Sequence, residues 1–288
     1  MIPRQRGTAL LLVLWVTVLL AALLIGVAAA SRSQSQAALY GAERVRAELA
    51  AEAGLAHAVA GLRAPDLRDQ WVPDGRQYDF EFDGAKVRVQ VVDVSGLIDL
   101  NAAPPDLLGD LFAAAGVDRA RANQFANTLA AWRGDSPRPQ LPARAGASQQ
   151  PHGPFRAIEQ LARLPGMTTD LFAKVEQAVT VFSGRNFPDA SYAPPLSLAA
   201  VHGLGAGQAK TLVAQRRSRP AQRGAGNGRA LGAVANGPLV AGYGGVVERV
   251  FSTATMPDGT RVGLDVTLRL ALTGTRTRPY KVLDWRVD

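Results

Sequence analysis

The side chains that most often perform catalysis are few in this sequence and lie far apart. It contains no cysteine, and its three histidines are His57, His152 and His202. These histidines lack the spacing that brings two imidazoles to one metal ion, and no serine lies in a nucleophile elbow. We find no constellation for acid–base or nucleophilic chemistry. The sequence therefore predicts a protein that is not an enzyme.

The glycine-rich stretch over residues 203–208 also lacks the pattern of a nucleotide-binding loop. The last glycine of the dinucleotide-binding fingerprint is missing, and Lys210 is not adjacent to a glycine as a P-loop requires. No strand of a βαβ unit precedes the stretch. No nucleotide cofactor is therefore expected.

Two segments, residues 161–167 and 198–207, look like helix-hairpin-helix motifs. Glycines in such motifs leave backbone N–H groups free to meet phosphate at a helix start, and Lys210, Arg216 and Arg217 would add positive charge. In the alternative that we favour, glycine lets two short helices turn tightly and pack without a ligand. Nucleic acid is therefore not the expected partner, and a DNA-binding role in an uptake system is the alternative function.

The net charge is strongly positive, at +8, and comes almost wholly from arginine. A positive excess raises the question of nucleic acid or anionic membrane as a partner. Part of the excess is local, because Arg219, Arg223 and Arg229 lie in the stretch over residues 218–242, which is rich in Gly, Ala and Arg. We interpret this stretch as a flexible linker, with an ordered partner-binding loop as the alternative.

An apolar run over residues 8–30 predicts that the protein is anchored in a membrane. Residues 10–26 carry no charged side chain, and about twenty apolar residues suffice for a transmembrane helix. Arg4 and Arg6 precede the run, which predicts a single-pass protein with a short cytoplasmic N-terminus. The alternatives are a cleaved secretory signal ending at residues 28–30 and a plain signal anchor. The apolar run is too long to favour the cleaved signal.

Residues 31–62 continue the helix, since they contain no proline and show a helical hydrophobic period. We expect this amphipathic part to pack against a globular domain through one apolar stripe. The stripe comprises Leu39, Ala42, Val45, Leu49, Ala53, Ala56 and Val59.

Strands are predicted near both ends of the remaining chain. Residues 77–82 and 87–91 alternate about Asp83-Gly84, which is typical of a β-hairpin. Residues 262–270 and 280–287 have strand patterns too, and Gly259 lies in the turn before them. We expect residues 63–98 and 243–288 to form one antiparallel sheet packed on the helix, which gives an α+β fold.

Between these strands, residues 99–217 have a helical pattern and predict an inserted all-α domain. We expect helices from residue 107 after Pro104-Pro105, and over residues 117–132, 155–164, 169–182 and 208–217. The two hairpin-like motifs fall inside this insert.

The N-terminal pattern resembles that of type IV pilins and pseudopilins. A short basic leader ends at Gly7, and an apolar helix follows directly. The resemblance implies that residues 1–7 are a leader that prepilin peptidase removes between Gly7 and Thr8, with methylation of the new N-terminus. Most members have Glu as the fifth mature residue, whereas this chain has Leu12.

That departure resembles the K family of minor pseudopilins from type II secretion systems. A buried carboxylate in lipid needs a partner charge, and a subunit at a filament tip has no preceding subunit to supply an amine. Residues 96–101, residues 154–156 leading into 161–167, and Trp285-Arg286 also look like landmarks of that family.

The resemblance implies a role in assembly. It implies a non-enzymatic subunit that forms or caps the tip of a periplasmic pseudopilus during export of folded proteins. Its expected partners are I-like and J-like minor pseudopilins, prepilin peptidase and the bacterial inner membrane, with the C-terminal domain in the periplasm.

The resemblance also raises the question of calcium, which members of the K family bind through an acidic loop. The corresponding residues 132–138 and the loop after them hold few acids. Other weak candidates exist, but helix capping and turn formation are the favoured roles of each. We therefore expect calcium to be absent or weakly bound. The candidates are Asp93, Asp99, Asn101, Asp106, Asp135 and Asp189.

Overall fold

The computed structural model describes residues 6–66, 68–134, 153–201, 204–218, 247–271 and 279–287. Inside the first helix it describes side chains at residues 12–24 and from residue 40 onward. Two predicted features fall largely outside this part of the chain, namely the leader and the linker over residues 218–242.

The first described element is one long helix, α1, which spans Arg6–Leu62. The absence of proline lets the helical hydrogen bonds continue without a break. At its end the side-chain amide of Gln70 donates to the Leu62 carbonyl at 2.9 Å, which satisfies one of the terminal acceptors. The predicted continuation of the apolar helix into a second helical part is confirmed.

The predicted transmembrane segment over residues 8–30 is not confirmed by this structure. Within the residues that the structure describes, no helix combines the length and the hydropathy needed to cross a membrane.

The described part of the chain then contains seven strands, and five of them form an antiparallel sheet in the order β1-β2-β5-β6-β7. The two shortest, β3 and β4, pair in parallel elsewhere. The strands are β1 (Asp74–Phe82), β2 (Ala85–Asp93), β3 (Ile98–Asp99), β4 (Val179–Thr180), β5 (Val247–Thr255), β6 (Arg261–Leu270) and β7 (Tyr280–Val287).

The hairpin of β1 and β2 turns where the sequence predicts it. Asp83 and Gly84 have φ angles of 48° and 78°, and positive φ at both central residues matches the strand twist in a two-residue turn. The alternation then buries Val87, Val89 and Val91 against α1.

The two strand-rich ends of the chain meet at the centre of the sheet. β2 pairs with β5, so that Val91 lies opposite Val250, and β6 and β7 extend the sheet from there. The predicted single antiparallel sheet is confirmed. β5 was not identified as a strand from the sequence, because Glu248, Arg249 and Ser252 interrupt its apolar alternation.

Within the residues that the structure describes, the insert between β2 and β5 contains five α-helices and a core of its own. Phe112 and Phe125 stack at 4.7 Å in that core. Its helices are α2 (Pro105–Ala114), α3 (Arg119–Arg133), α4 (Thr169–Val175), α5 (Pro195–Ala199) and α6 (Ala206–Arg217).

The prediction of an all-α insert needs correction. Ile98 of β3 pairs with Val179 of β4, so the helix predicted over residues 169–182 ends at Val175. β-branched Val179 and Thr180 favour the extended conformation. The helix predicted over residues 155–164 is a short 3-10 helix, Ile158–Arg163.

Candidate assembly surfaces

The face of α1 that meets the sheet is built from small side chains. Ala47, Ala51, Gly54 and Ala58 are all buried there. A Cβ atom added at Gly54 would lie only 2.1 Å from the Ser252 hydroxyl oxygen. The helix backbone therefore approaches the sheet closely, and the larger side chains of this core come mainly from the strands.

The stripe predicted to face the sheet is wrong for most of its residues. Val45 and Leu49 are 56% and 55% exposed, Ala42 and Ala56 are exposed, and Val59 is buried. Ala53 is half-buried, and the side chain of Leu39 lies outside the described part. Hydrophobic spacing alone does not choose between two apolar sides of the helix, whereas the close approach of the sheet favours the side with Ala47, Ala51 and Gly54.

The result is an apolar outer face of α1, defined as Val45, Leu49 and Ala56. At 3.6 residues per turn, Val45, Leu49 and Ala56 lie on the opposite side of the helix from Ala47, Ala51 and Ala58. Side chains of residues 12–24 are exposed as well. Thr17 lies among them, and its hydroxyl donates to the Leu14 carbonyl at 2.8 Å.

Edge strand β7 exposes a second apolar strip. Val282, Trp285 and Val287 are 39%, 42% and 40% exposed. Trp285 lies opposite Val266 in the register, so this strip shares the sheet face on which α1 packs.

On the other face, the sheet meets the insert through an ionic junction, defined as Arg249, Asp265, Arg286, Glu159 and Glu176. Arg249 donates to both carboxylate oxygens of Asp265 at 3.0 and 2.7 Å. It also donates to the Glu176 carbonyl at 2.8 Å. Arg286 donates to Asp265 and, at 2.9 Å, to Glu159. The junction therefore joins β5, β6 and β7 to the helical insert.

One carboxyl group at the rim of this junction is perturbed. Partial burial raises the pKa of Asp284 above its ordinary value, and the nearby Arg286 guanidinium opposes that shift. The Arg286 Nε atom lies 3.3 Å from the Asp284 carboxylate. Desolvation therefore outweighs the ion pair at this position.

A second link joins α6 to the start of β1. The Arg216 guanidinium is buried and donates to the carbonyls of Ala190 and Ala193 at 2.9 and 3.0 Å. It also reaches the Asp74 carbonyl at 3.3 Å. Burial lowers the pKa of Arg216 to about 10, so that it stays protonated at neutral pH.

This arrangement gives the arginines of the second hairpin motif a packing role. Arg216 and Arg217 both donate to the backbone of Asp74, so they hold the insert on the sheet instead of facing a phosphate. Lys210 is exposed, while His202 and Gly203 lie outside the described residues. The first hairpin motif turns at Gly166, whose carbonyl accepts from Arg121 at 2.8 Å.

Most of the calcium candidates form turns. Asp93 accepts from the Ser95 amide at 2.8 Å, and Asp189 accepts from the Ser191 amide at 2.9 Å. Asp99 accepts from the Asn101 and Gly184 amides. Hydrogen bonds of this kind stabilise turns, which is the role that we expect for these residues. Within the described ranges no cluster of metal-binding side chains occurs.

Three further candidates are placed as follows. Asn101 clamps Phe155, accepting from its amide at 2.7 Å and donating to its carbonyl at 2.9 Å. Asp106 lies in the first turn of α2, where a carboxylate suits the helix dipole. Asp135 lies outside the described residues.

The chain has a fold already seen in a secretion assembly. A structure search finds a chain in the crystal structure of the GspK-GspI-GspJ complex from the enterotoxigenic Escherichia coli type 2 secretion system. The TM-score is 0.59 at 16% identity, and the match covers 89% of this chain and 99% of that chain. This chain shares that subunit's fold.

The match confirms, for the fold, the resemblance to K pseudopilins that the sequence indicates. It covers sheet and insert together, since almost nine-tenths of the chain is aligned. The subunit with which the fold is shared belongs to a secretion-system complex. The sequence itself matches no protein-family model and no curated protein.

The ionic junction was not identified from the sequence. Arg249, Asp265 and Arg286 lie on the sheet face opposite the one that α1 covers, where polar residues are ordinarily solvated. The only available signal was their cross-strand placement, because Asp265 lies opposite Arg286 in the register of β6 and β7. Recognising it required knowing which strands are neighbours.

Proposed function

We propose that this chain is a minor pseudopilin of a type II secretion system, which joins other minor pseudopilins through the outer face of α1. The observation that carries the proposal is the exposure of Val45 and Leu49 on a helix whose sheet-facing side is already occupied. An apolar helix face gains free energy when a neighbouring helix covers it. The fold shared with a subunit of the GspK-GspI-GspJ complex supports I-like and J-like partners.

The exposed apolar residues of the N-terminal half support an anchored location. Side chains of residues 12–24 are aliphatic or aromatic with few exceptions, and a lipid or helix-rich environment suits such a surface. We propose that this part of α1 lies in the bacterial inner membrane, with the sheet and the insert in the periplasm.

The experiment that tests the partner surface adds charge to it. Val45→Glu with Leu49→Glu should greatly reduce copurification of the full chain with its I-like and J-like partners, because the new carboxylates must lose water when helices pack. Gln77→Glu with Thr211→Glu adds the same charge at other exposed positions and should not change copurification. Unchanged copurification of the α1 variant would contradict the proposal.

Processing by prepilin peptidase is part of the same proposal, since Gly7 ends a basic leader. Replacing Gly7 with a bulky residue should leave the protein at its unprocessed mass. Mass spectrometry of the membrane fraction decides this, and a mature N-terminus at Ser31 would instead indicate an ordinary secreted protein.

A place at the pseudopilus tip is the most specific part of the proposal and is supported by Leu12. This side chain is 66% exposed, and no subunit above the tip would neutralise a carboxylate at that position. Leu12→Glu should therefore reduce pseudopilus assembly at matched protein levels. A clear gain in assembly would contradict the tip position and indicate an interior subunit.

A further inference from the structure

A short groove in the insert combines two arginines with a tryptophan and a proline. It lies between the end of α3 and the 3-10 helix Ile158–Arg163. We call it the arginine groove and define it by those of its lining residues that the structure describes, Trp132, Pro154, Arg156, Gln160 and Arg163.

The floor of the arginine groove is fixed by internal contacts. Trp132 stacks on buried Phe155, with ring centroids 5.4 Å apart and planes 15° apart. Asn101 holds Phe155 through both its amide and its carbonyl. The side-chain carbonyl of Gln160 accepts from the Arg156 amide at 2.7 Å. A ligand would therefore meet a surface that is already organised, which lowers the entropy lost on binding.

The rim of the groove carries positive charge that the described part of the protein does not neutralise. Arg156 and Arg163 are exposed, and neither guanidinium has an ion-pair partner among the described residues. The carboxylate nearest in sequence, Glu159, is instead engaged by Arg286 at 2.9 Å in the ionic junction. The two arginines are therefore available to an external anion.

We propose that the arginine groove binds an acidic peptide segment of a partner protein. Guanidinium groups recognise carboxylates through paired, charge-assisted hydrogen bonds. The indole of Trp132 and the ring of Pro154 offer an apolar surface to a side chain between those carboxylates. Two arginines beside such a surface suit a short acidic and aromatic sequence. A nucleic acid strand requires a longer basic track.

The test uses the full chain in non-ionic detergent and a labelled peptide of about ten residues in which Glu alternates with Tyr. Fluorescence anisotropy should show binding of this peptide and at least about tenfold weaker binding of the same peptide with Gln in place of Glu. Arg156→Glu with Arg163→Glu should weaken binding of the acidic peptide by at least about tenfold as well.

Two control variants separate the groove from overall charge and from misfolding. Arg261→Glu with Lys281→Glu makes the same change in net charge at exposed positions of the sheet and should leave the affinity within about twofold. Arg156→Lys with Arg163→Lys retains the charge and should keep most of the binding. Circular dichroism should show an unchanged helix content in every variant.

The proposal is overturned if the wild-type chain does not distinguish the Glu peptide from the Gln peptide. It is also overturned if the sheet variant loses as much affinity as the groove variant, because the effect would then be one of net charge. Tighter binding of labelled oligothymidine, lost in the groove variant, would assign the groove to nucleic acid. Since the assay contains no secretion component, its failure would leave the proposed assembly role unaffected.

Discussion

The two faces of the five-stranded sheet are covered by different chemistry. On one face α1 packs through Ala47, Ala51, Gly54 and Leu55, and the contact is apolar and close. On the other face the insert is held by the ionic junction, in which Arg249 binds Asp265 and the Glu176 carbonyl.

The two contacts should therefore respond differently to mutation. An apolar contact loses free energy in proportion to the area and volume removed, and it also resists added volume. An ionic contact is stable only while both partners are present, because removal of one partner leaves the other charge desolvated and unpaired. Four comparisons test this contrast, from the largest expected effect to the smallest.

The largest effect is expected at Arg249, whose side chain is only 3% exposed. Arg249→Met should lower the free energy of unfolding by about 3 to 5 kcal/mol, the range for removing one partner of a buried ion pair. Urea unfolding of the full chain in non-ionic detergent measures it. Arg88→Met breaks the exposed pair with Asp79 and should change stability by less than about 1 kcal/mol. Equal losses would refute the contrast.

Two leucines of α1 test which side of the helix faces the sheet. Leu55 is 3% exposed and Leu49 is 55% exposed. Leu55→Ala should destabilise by about 2 to 5 kcal/mol, because it leaves a cavity against the strands. Leu49→Ala should change the free energy of unfolding by no more than about 0.5 kcal/mol. The same urea titration would contradict the structure if the two values were reversed.

Added volume is the third test, and it uses two glycines of α1. Gly54 lies against Ser252 and Val87, whereas a Cβ at Gly41 would meet nothing within 4 Å. Gly54→Val should destabilise by about 1 to 3 kcal/mol, since the helix must move away from the sheet. Gly41→Val should be nearly neutral or slightly stabilising, because valine prefers the helix more than glycine does. A tolerated Gly54→Val would mean that this contact is loose.

The smallest effect concerns pH and Asp284. Its pKa is raised in the folded state by burial, so the folded protein binds this proton more readily than the unfolded chain. Stability of the wild type relative to Asp284→Asn should therefore rise as pH falls through the raised pKa toward the ordinary value near 3.8. Unfolding of both proteins at neutral pH and near pH 4 measures the difference. A relative loss of wild-type stability at low pH would contradict the shift.

The strands at both ends of the chain were predictable because their signals are local. Residues 87–91 and 262–270 alternate with a period of two, and Asp83-Gly84 is typical of a tight turn. The same reasoning failed over residues 169–182, where a helical period continues into β4. There the pairing of Val179 with Ile98 decided the conformation, and those residues are far apart in the chain.

The candidate surfaces were predictable only in part. Composition identified α1 as the helix with an apolar stripe, but it assigned Val45 and Leu49 to the wrong side. It named Arg216 only as a charge that would assist phosphate binding in the DNA-binding alternative, whereas the structure buries that side chain against Ala190, Ala193 and Asp74. In both cases the missing information was the distance between elements that are remote in sequence.

By itself the sequence determined the helix, the hairpin at Asp83-Gly84, the strands β6 and β7 and the absence of cysteine chemistry. These features depend on side-chain period and turn preference, which act over a few residues. Only the tertiary structure decided which face of α1 meets the sheet and which carboxylate binds Arg249. Burial and ion pairing depend on the separation of distant segments, and no local pattern encodes that separation.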